Sequence, residues 1–380
     1  MRNIFISALV TLILIYSAQI SAQEIWSLEK CINHAIEKSL QIEGSKLSLK
    51  CTEVDITLAR HSRYTNLSGN TNVGWNFGRS IDPTSNEFIT ETFFNNGFSI
   101  NSNVLLYNGG RVNNTIMQSI QNSRATMKDM EQTKRDISLN VASLYLNLLF
   151  AKENLQNAEN QLTLTNEQLS QLSKQIAVGN RPENDRLDLE AQIATNEQTI
   201  TEARNNLTIN LLNLKQFLRL DPDFSMDIQN PGDVLLDTDP DIITFAELYR
   251  SALNNQPSVA ANELRVKVAQ LGEKIAKSSF LPTIGAGGNL RTNYSNKGRY
   301  IDGYNSVIRD VPLTINGQNV TVGFPSEIPI IKKSPYFDQF SDNISYGVGA
   351  SVSIPIYSNY SARAGLQRAK INSERAQLSL

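Results

Sequence analysis

From Ile137 the chain places Ile137, Val141, Leu144, Leu148, Ala151, Leu155, Ala158, Leu162, Thr165, Leu169, Leu172 and Ile176 at steps that alternate four and three. Held for about five and a half heptads, that spacing predicts one long helix with a left-handed coiled-coil seam. A second seam follows at Leu189, Ile193, Asn196, Ile200, Ala203, Leu207, Asn210, Leu214 and Phe217. Between them lies Val178-Gly-Asn-Arg-Pro-Glu-Asn-Asp185, a glycine stop and then a proline near a helix start, so the two helices should form an antiparallel hairpin with a tight tip. Ala151, Ala158 and Ala203 allow close approach, while the other faces are rich in Asn, Gln, Ser and Thr, which suits water or a hydrated lumen.

Elsewhere the period drops to two. Leu67, Gly69, Thr71, Val73, Trp75 and Phe77 alternate with Ser68, Asn70, Asn72, Gly74 and Asn76, and similar alternation recurs in 97–107, 283–294 and 344–356. Each run has about the 9 to 11 residues that a tilted transmembrane strand needs. Trp75, Phe77, Phe98, Tyr294 and Tyr346 should gather at one rim of such a sheet, and Tyr64, Tyr107 and Tyr357 at the other, as a lipid-facing aromatic girdle. The competing reading is a half-buried sheet of a soluble sandwich. Asn, Ser and Gly in strict alternation fit a wet interior better.

The chain also repeats itself. Ser27-Leu-Glu-Lys-Cys-Ile-Asn-His-Ala-Ile36 lines up with Thr244-Phe-Ala-Glu-Leu-Tyr-Arg-Ser-Ala-Leu253, and Ala59–Leu67 with Ala276–Ile284. Both copies then run strand, loop, strand and a Tyr-containing turn into a helix, so the chain reads as a tandem duplication. The first repeat spans 23–240, with strands at about 66–78 and 97–107, a helical hairpin over 112–220 and a polar linker at 221–240. The second spans 241–380, with helices in 244–280, strands at about 283–294 and 344–356, and a helix over 361–380. At 1.5 Å per residue the 112–178 helix would reach ~100 Å, and helices 41–62 and 184–219 placed end to end would reach ~87 Å. Four strands cannot close a barrel, since the smallest transmembrane barrels use about eight. An open edge in lipid leaves backbone groups unpaired, so association is required; three copies supply twelve strands.

Composition narrows the function classes. With 35 Lys and Arg against 37 Asp and Glu, scattered rather than clustered, nothing recruits nucleic acid. A mean hydropathy of -0.28 excludes a polytopic helical membrane protein but not a β-barrel. Residues 1–22 read as a secretory signal, with Arg2, an apolar run from Ile4 to Tyr16 and small residues at Ser21 and Ala22. Two histidines, His34 and His61, and two cysteines, Cys31 and Cys51, form no ligand cluster or Cys-x-x-Cys pair. Neither catalysis, nor a metal, nor a cofactor is indicated; a Cys31–Cys51 disulfide stays open. Gly285-Ala-Gly-Gly288 lies inside a strand run with no Gly-Lys-Ser/Thr after it, and reads as barrel wall.

The signal peptide, the duplicated unit, Tyr107-Asn-Gly-Gly-Arg111, Ala276-Lys-Ser-Ser-Phe-Leu-Pro282 and the tip with Gly179, Asp185 and Leu187 resemble the TolC family of outer-membrane efflux proteins. Gly78-Arg-Ser-Ile-Asp-Pro83 resembles the branch found in Bacteroidetes-type bacteria. The resemblance implies an α+β membrane protein: a homotrimer whose long helices form a coiled-coil barrel in the periplasm and whose four strands per protomer build a 12-stranded β-barrel in the outer membrane. It implies a passive duct for small molecules or proteins, working with a periplasmic adaptor (membrane fusion) protein and an inner-membrane RND or ABC pump. By the same resemblance Gly179, Arg181, Pro182, Asp185 and Arg186 are the adaptor-docking or gating tip, and Arg181 and Asp185 belong to salt bridges that hold such tunnels closed. Relative to the family the second hairpin is absent after Leu380, which reads as a C-terminal truncation, a fragment of a longer frame. Loops 79–96 and 295–343 should face outside, the second long enough to fold partly into the pore. Two other classes compete: a soluble periplasmic coiled-coil scaffold or adaptor, and a surface enzyme or adhesin on a barrel anchor, which needs a catalytic cluster or a domain within 295–343.

Overall fold

A computed structural model describes residues 24–81, 86–90, 92–230, 244–315 and 318–380. The signal segment 1–22 and linker residues 231–240 lie outside the described residues. In chain order the elements are β1 (Glu24–Trp26), α1 (Leu28–Lys38), α2 (Leu40–His61), β2 (Asn66–Asn76), β3 (Ser80–Ile81), β4 (Phe88–Ile89), β5 (Phe93–Asn108), α3 (Arg111–Ala177), α4 (Asn184–Leu218), β6 (Met226–Ile228), α5 (Phe245–Asn255), α6 (Pro257–Lys277), β7 (Thr283–Ser295), β8 (Arg299–Ile315), β9 (Gln318–Lys333), α7 (Tyr336–Asp342), β10 (Ser345–Ser353) and α8 (Ser361–Leu378). They fall into two compact units: one takes the residues to Val54, Gln121–Val266 and the last two residues, the other Asp55–Ile120 and Lys267–Leu378. Each unit therefore draws on both halves of the chain.

The first unit is helical. All twelve seam positions from Ile137 to Ile176 are buried or half-buried, as are those of α4 from Leu189 to Leu214. At the end of α4 the seam moves: Phe217 is 37% exposed and Leu218 is fully buried. A straight helix of 3.6 residues per turn drifts against a heptad count, and over this length the drift moves the core-facing position on by one. Midway, Asn196 Nδ2 donates to Thr165 Oγ1 at 2.9 Å, and Gln192 Nε2 donates to Asn196 Oδ1 at 3.0 Å. A satisfied polar pair inside an apolar seam fixes register, since any slip leaves both groups buried and unpaired.

Near the other end of this unit, β1 pairs in parallel with β6, Glu24 to Met226 and Trp26 to Ile228. Thus 226–228, expected within a linker, are a strand; an apolar alternation of three residues is too short to stand out from its polar flanks. Trp26, Cys31, Ala35, Ile42, Val141, Leu148, Leu214, Leu218, Met226 and Ile228 build the core around Tyr145, which is 1% exposed. The Tyr145 hydroxyl reaches the backbone carbonyls of Trp26, at 3.2 Å, and of Gln229. Lys152 Nζ donates to both Asp227 carboxylate oxygens, at 2.8 and 2.7 Å. Helix α3 is thereby fastened to the strand pair by one buried and one half-exposed contact.

The second unit is built on a four-stranded antiparallel sheet in the order β10-β7-β5-β2. The two copies meet at β5 and β7, leaving β2 and β10 as edges. Strand β5 enters α3 through Gly109 and Gly110, at φ 64° and 78°. At Gly109 an added Cβ would stand 2.8 Å from Leu281 Cβ, so both the handedness and the space require glycine. The second copy makes the matching turn at Asn359 and Tyr360, φ 46° and 66°, the same left-handed path without glycine.

Residues 295–343 are not an open loop. Strands β8 and β9 form one long antiparallel hairpin, paired from Arg299 with Lys333 to Ile315 with Gln318. The signal for it is Asn316-Gly317 between two β-branched runs, a pair typical of two-residue hairpin turns. Helix α7 follows and lies on the sheet. Its Phe340 meets Phe98 at a ring separation of 5.0 Å, its Tyr336 meets Tyr294 at 4.5 Å, and Gln339 bonds both backbone groups of Ser295 at 2.9 Å.

Removing the Tyr145 hydroxyl deletes a hydrogen bond to the Gln229 carbonyl, while Trp26 O keeps the Gln229 N–H at 3.0 Å, a loss of about 0.5 to 1.5 kcal/mol. Tyr145→Phe is expected to lower the midpoint for heat-induced loss of helical circular dichroism while the folded spectrum stays unchanged.

Candidate functional site

Three places carry candidate chemistry: the helical tip, the two faces of the sheet, and the cysteines. At the tip α3 ends on Ala177 and Gly179 takes φ 79°. Gly179 N–H donates to Ile176 O at 2.9 Å and Asn180 N–H to Gln175 O at 3.0 Å, the glycine-terminated arrangement that satisfies orphan carbonyls at a helix end. Pro182 precedes α4, and its carbonyl accepts from Asp185 N–H at 3.3 Å. Arg181 pairs with Asp185 at 3.3 Å, and Arg186 with Glu183 at 3.0 Å and Glu190 at 3.3 Å. The five expected tip residues thus sit within one turn, and both arginines are paired inside the same hairpin. These pairs are exposed, and each contributes roughly 0 to 1 kcal/mol; they set the shape of the tip more than its stability. Val178 and Leu187 are 71% and 57% exposed beside them, two apolar side chains on an otherwise charged end.

The sheet separates its side chains by chemistry. Because successive residues point to opposite faces, the register aligns Leu67, Val73 and Trp75 of β2 with Phe94, Phe98, Ile100 and Val104 of β5, Ile284 and Leu290 of β7, and Tyr346, Val348 and Val352 of β10. A bulge between Leu105 and Tyr107 returns Tyr107 to the same face, opposite Ile284. The other face carries Asn70, Asn72, Asn95, Ser99, Asn101, Asn289, Asn293, Ser345 and Ser351, interspersed with glycines, and one charged residue, Arg291. Val348 and Tyr346 are 93% and 83% exposed, so the apolar face is uncovered along β10.

Of the expected girdle, Trp75, Phe77, Tyr107, Tyr346 and Tyr357 are exposed. Phe98 is exposed at 40% and Tyr294 is half-buried; α7 packs against both, with Tyr336 also accepting from Asn96 Nδ2 at 2.7 Å. Sequence reading missed this because α7 is only seven residues long; its Tyr-Phe-x-x-Phe spacing, apolar at i, i+1 and i+4, was the available signal. Trp75 meets Phe94 at a ring separation of 5.1 Å, the rings tilted by 57°; Phe94 is a further aromatic of the same rim.

Cys31 is buried and Cys51 exposed, and both are free. Burial pushes the Cys31 thiol up to about 11, only partly opposed by Lys30. His34 lies edge-on to Trp26 at 5.1 Å and His61 Nδ1 lies 2.8 Å from Thr57 O, ordinary helix positions. Among the described residues no group of three His, Cys, Asp or Glu comes together to hold a metal ion, and no helix is long and apolar enough to cross a membrane.

The family described as outer membrane efflux protein matches residues 31–218. Over that segment the chain is similar to the outer membrane efflux proteins. No curated protein matches the sequence at a significant level. Solved structures extend the likeness beyond the family segment. CusC, studied for conformational changes accompanying folding and transmembrane channel formation, is 17% identical with a TM-score of 0.69, covering 93% of this chain and 71% of its own. VceC, an outer membrane protein of Vibrio cholerae, is 14% identical at 0.69, covering 92% and 74%. The open state of the MtrE outer membrane channel of Neisseria gonorrhoeae is 18% identical at 0.63, covering 93% and 68%. At these identities the likeness establishes the fold: the long-helix and four-strand protomer of the outer membrane channels.

Buried, and with its thiol pushed up to about 11, Cys31 is expected to stay inert. Thiolate is the reactive form, so maleimide at neutral pH should label one site, Cys51, in the folded protein, and two after denaturation; double labelling before denaturation contradicts the buried placement.

Proposed function

We propose that the protein is the outer-membrane duct of an efflux or type I secretion apparatus, working as a homotrimer with a periplasmic adaptor and an inner-membrane RND or ABC pump. Substrate passes through without a reaction, and the pump supplies the energy. The observation that carries this reading is the register of the sheet, which collects apolar side chains on one face and Asn, Ser and Gly on the other while leaving two edges open. In lipid an unpaired backbone group costs several kcal/mol, so β10 of one copy pairs with β2 of the next. Three copies then give twelve strands with the apolar faces outward and the polar faces toward water. The family supplies the outer-membrane setting and the efflux role.

The tip residues Gly179, Arg181, Pro182, Asp185 and Arg186 are the proposed docking or gating surface. In support, the tip pairs exposed apolar side chains, Val178 and Leu187, with exposed ion pairs on a rigid helical end. A soluble scaffold would share the helices but has no use for a one-sided apolar sheet. An enzyme or adhesin would need chemistry in 295–343, and that segment is a plain hairpin and a short helix.

Reversing both charges of one pair keeps it attractive, whereas reversing one does not. Arg181→Glu alone is expected to reduce export at unchanged protein level in the outer membrane, and Arg181→Glu with Asp185→Arg to restore the tip geometry. Full export by Arg181→Glu would reject the tip assignment. Extraction as a monomer in plain buffer, rather than as a detergent-dependent trimer, would reject the duct.

A further inference from the structure

Arg291 is the only charged residue at any position of the four strands of the sheet, on either face. It stands on the polar face, in β7, an inner strand flanked by β5 and β10 and not an edge. Its register partners are Ser99 and Ser345, and along its own strand the next same-face residues are Asn289 and Asn293. No carboxylate occupies any position of these strands, so nothing in the sheet neutralises it. The Nε–H donates to Ser345 Oγ at 2.9 Å, which ties the side chain along the sheet surface while the guanidinium stays exposed. An isolated cation on a wall otherwise built of amides, hydroxyls and glycines is not needed for packing or for pairing.

We propose that three copies of Arg291 form a cationic ring inside the barrel, an anion-selecting site that favours solutes bearing carboxylate, sulfate or phosphate groups. The inference rests on the trimeric duct reading, since it is barrel closure that turns the polar face inward. With strands ~4.8 Å apart and tilted about 40°, twelve of them close at a backbone radius of about 12 Å. Arginine side chains reaching inward from that wall leave the axis within about one Debye length of each guanidinium at physiological salt. Rings of like charge on a pore wall bias permeation by the sign of the solute. Arginine also offers planar, bidentate donors that suit carboxylate and phosphate oxygens. The position matters as well: Arg291 lies four residues from the Ser295 end of β7, about 13 Å of strand, close to the end of the sheet from which the β8–β9 hairpin departs.

The test is the reversal potential of the purified full-length protein in a planar bilayer under a potassium chloride gradient, compared among wild type, Arg291→Gln and Arg291→Glu. Arg291→Gln is expected to lower the chloride-to-potassium permeability ratio about threefold or more, and Arg291→Glu to lower it further. Inorganic tripolyphosphate added on the barrel side should reduce wild-type conductance and leave Arg291→Gln unaffected. Reversal potentials and block identical in all three proteins overturn the ring while leaving the duct standing. A correctly assembled trimer that conducts nothing overturns the duct and the ring together.

Discussion

An unpaired strand edge cannot rest in hydrocarbon, and this single constraint orders most of the molecule. Strands β2 and β10 each present a row of backbone donors and acceptors that the protomer itself leaves unpaired. Water would satisfy them; lipid does not. The uncovered apolar face forbids the aqueous solution and the open edges forbid the lipid one, so only association with further copies meets both demands. The duplication follows the same logic. One helix-strand-strand unit supplies a two-stranded hairpin, which is marginal alone; joining two units through the β5–β7 ladder gives a sheet wide enough that few copies close it.

Much of this was legible in the sequence because the signals were long. The seams from Ile137 to Ile176 and from Leu189 to Leu214 repeat often enough to survive polar members such as Thr165 and Asn196, which the structure shows bonded to one another. The alternations around Val73, Ile100, Leu290 and Val348 run for about four to six periods and land on one face. What escaped was short or non-local. The β1–β6 pair involves three residues on each side separated by most of the first copy. Helix α7 is about two turns long, and its role depends on the sheet beneath it. The hairpin β8–β9 escaped because Pro312, Pro325 and Pro329 interrupt its two runs, and proline argues against a strand. At the tip, the turn chemistry of Gly179 and Pro182 was readable, whereas pairing of Arg186 with both Glu183 and Glu190 depends on side-chain geometry.

The relatives explain why so little identity suffices. At 14 to 18% identity over more than nine-tenths of the chain, what is shared is the periodicity of apolar and polar positions and a few turn residues. A coiled-coil seam accepts many apolar side chains, and a barrel wall needs only alternation and the right strand length. Positions that break the pattern, such as a lone cation on a neutral wall, are therefore free to differ between channels that share the architecture. Those positions are where one duct can become unlike another.

The parallel pairing of Glu24–Trp26 with Met226–Ile228 has a consequence for biogenesis. A chain that leaves the inner membrane amino end first presents Trp26 and Cys31 to the periplasm about two hundred residues before their partners emerge. Closing so long a loop is slow, so the core around Tyr145 can set only after the helical hairpin is in place. Pairing of Glu24–Trp26 with Met226–Ile228 therefore closes a loop of about two hundred residues, and it can form only once the intervening helices are present.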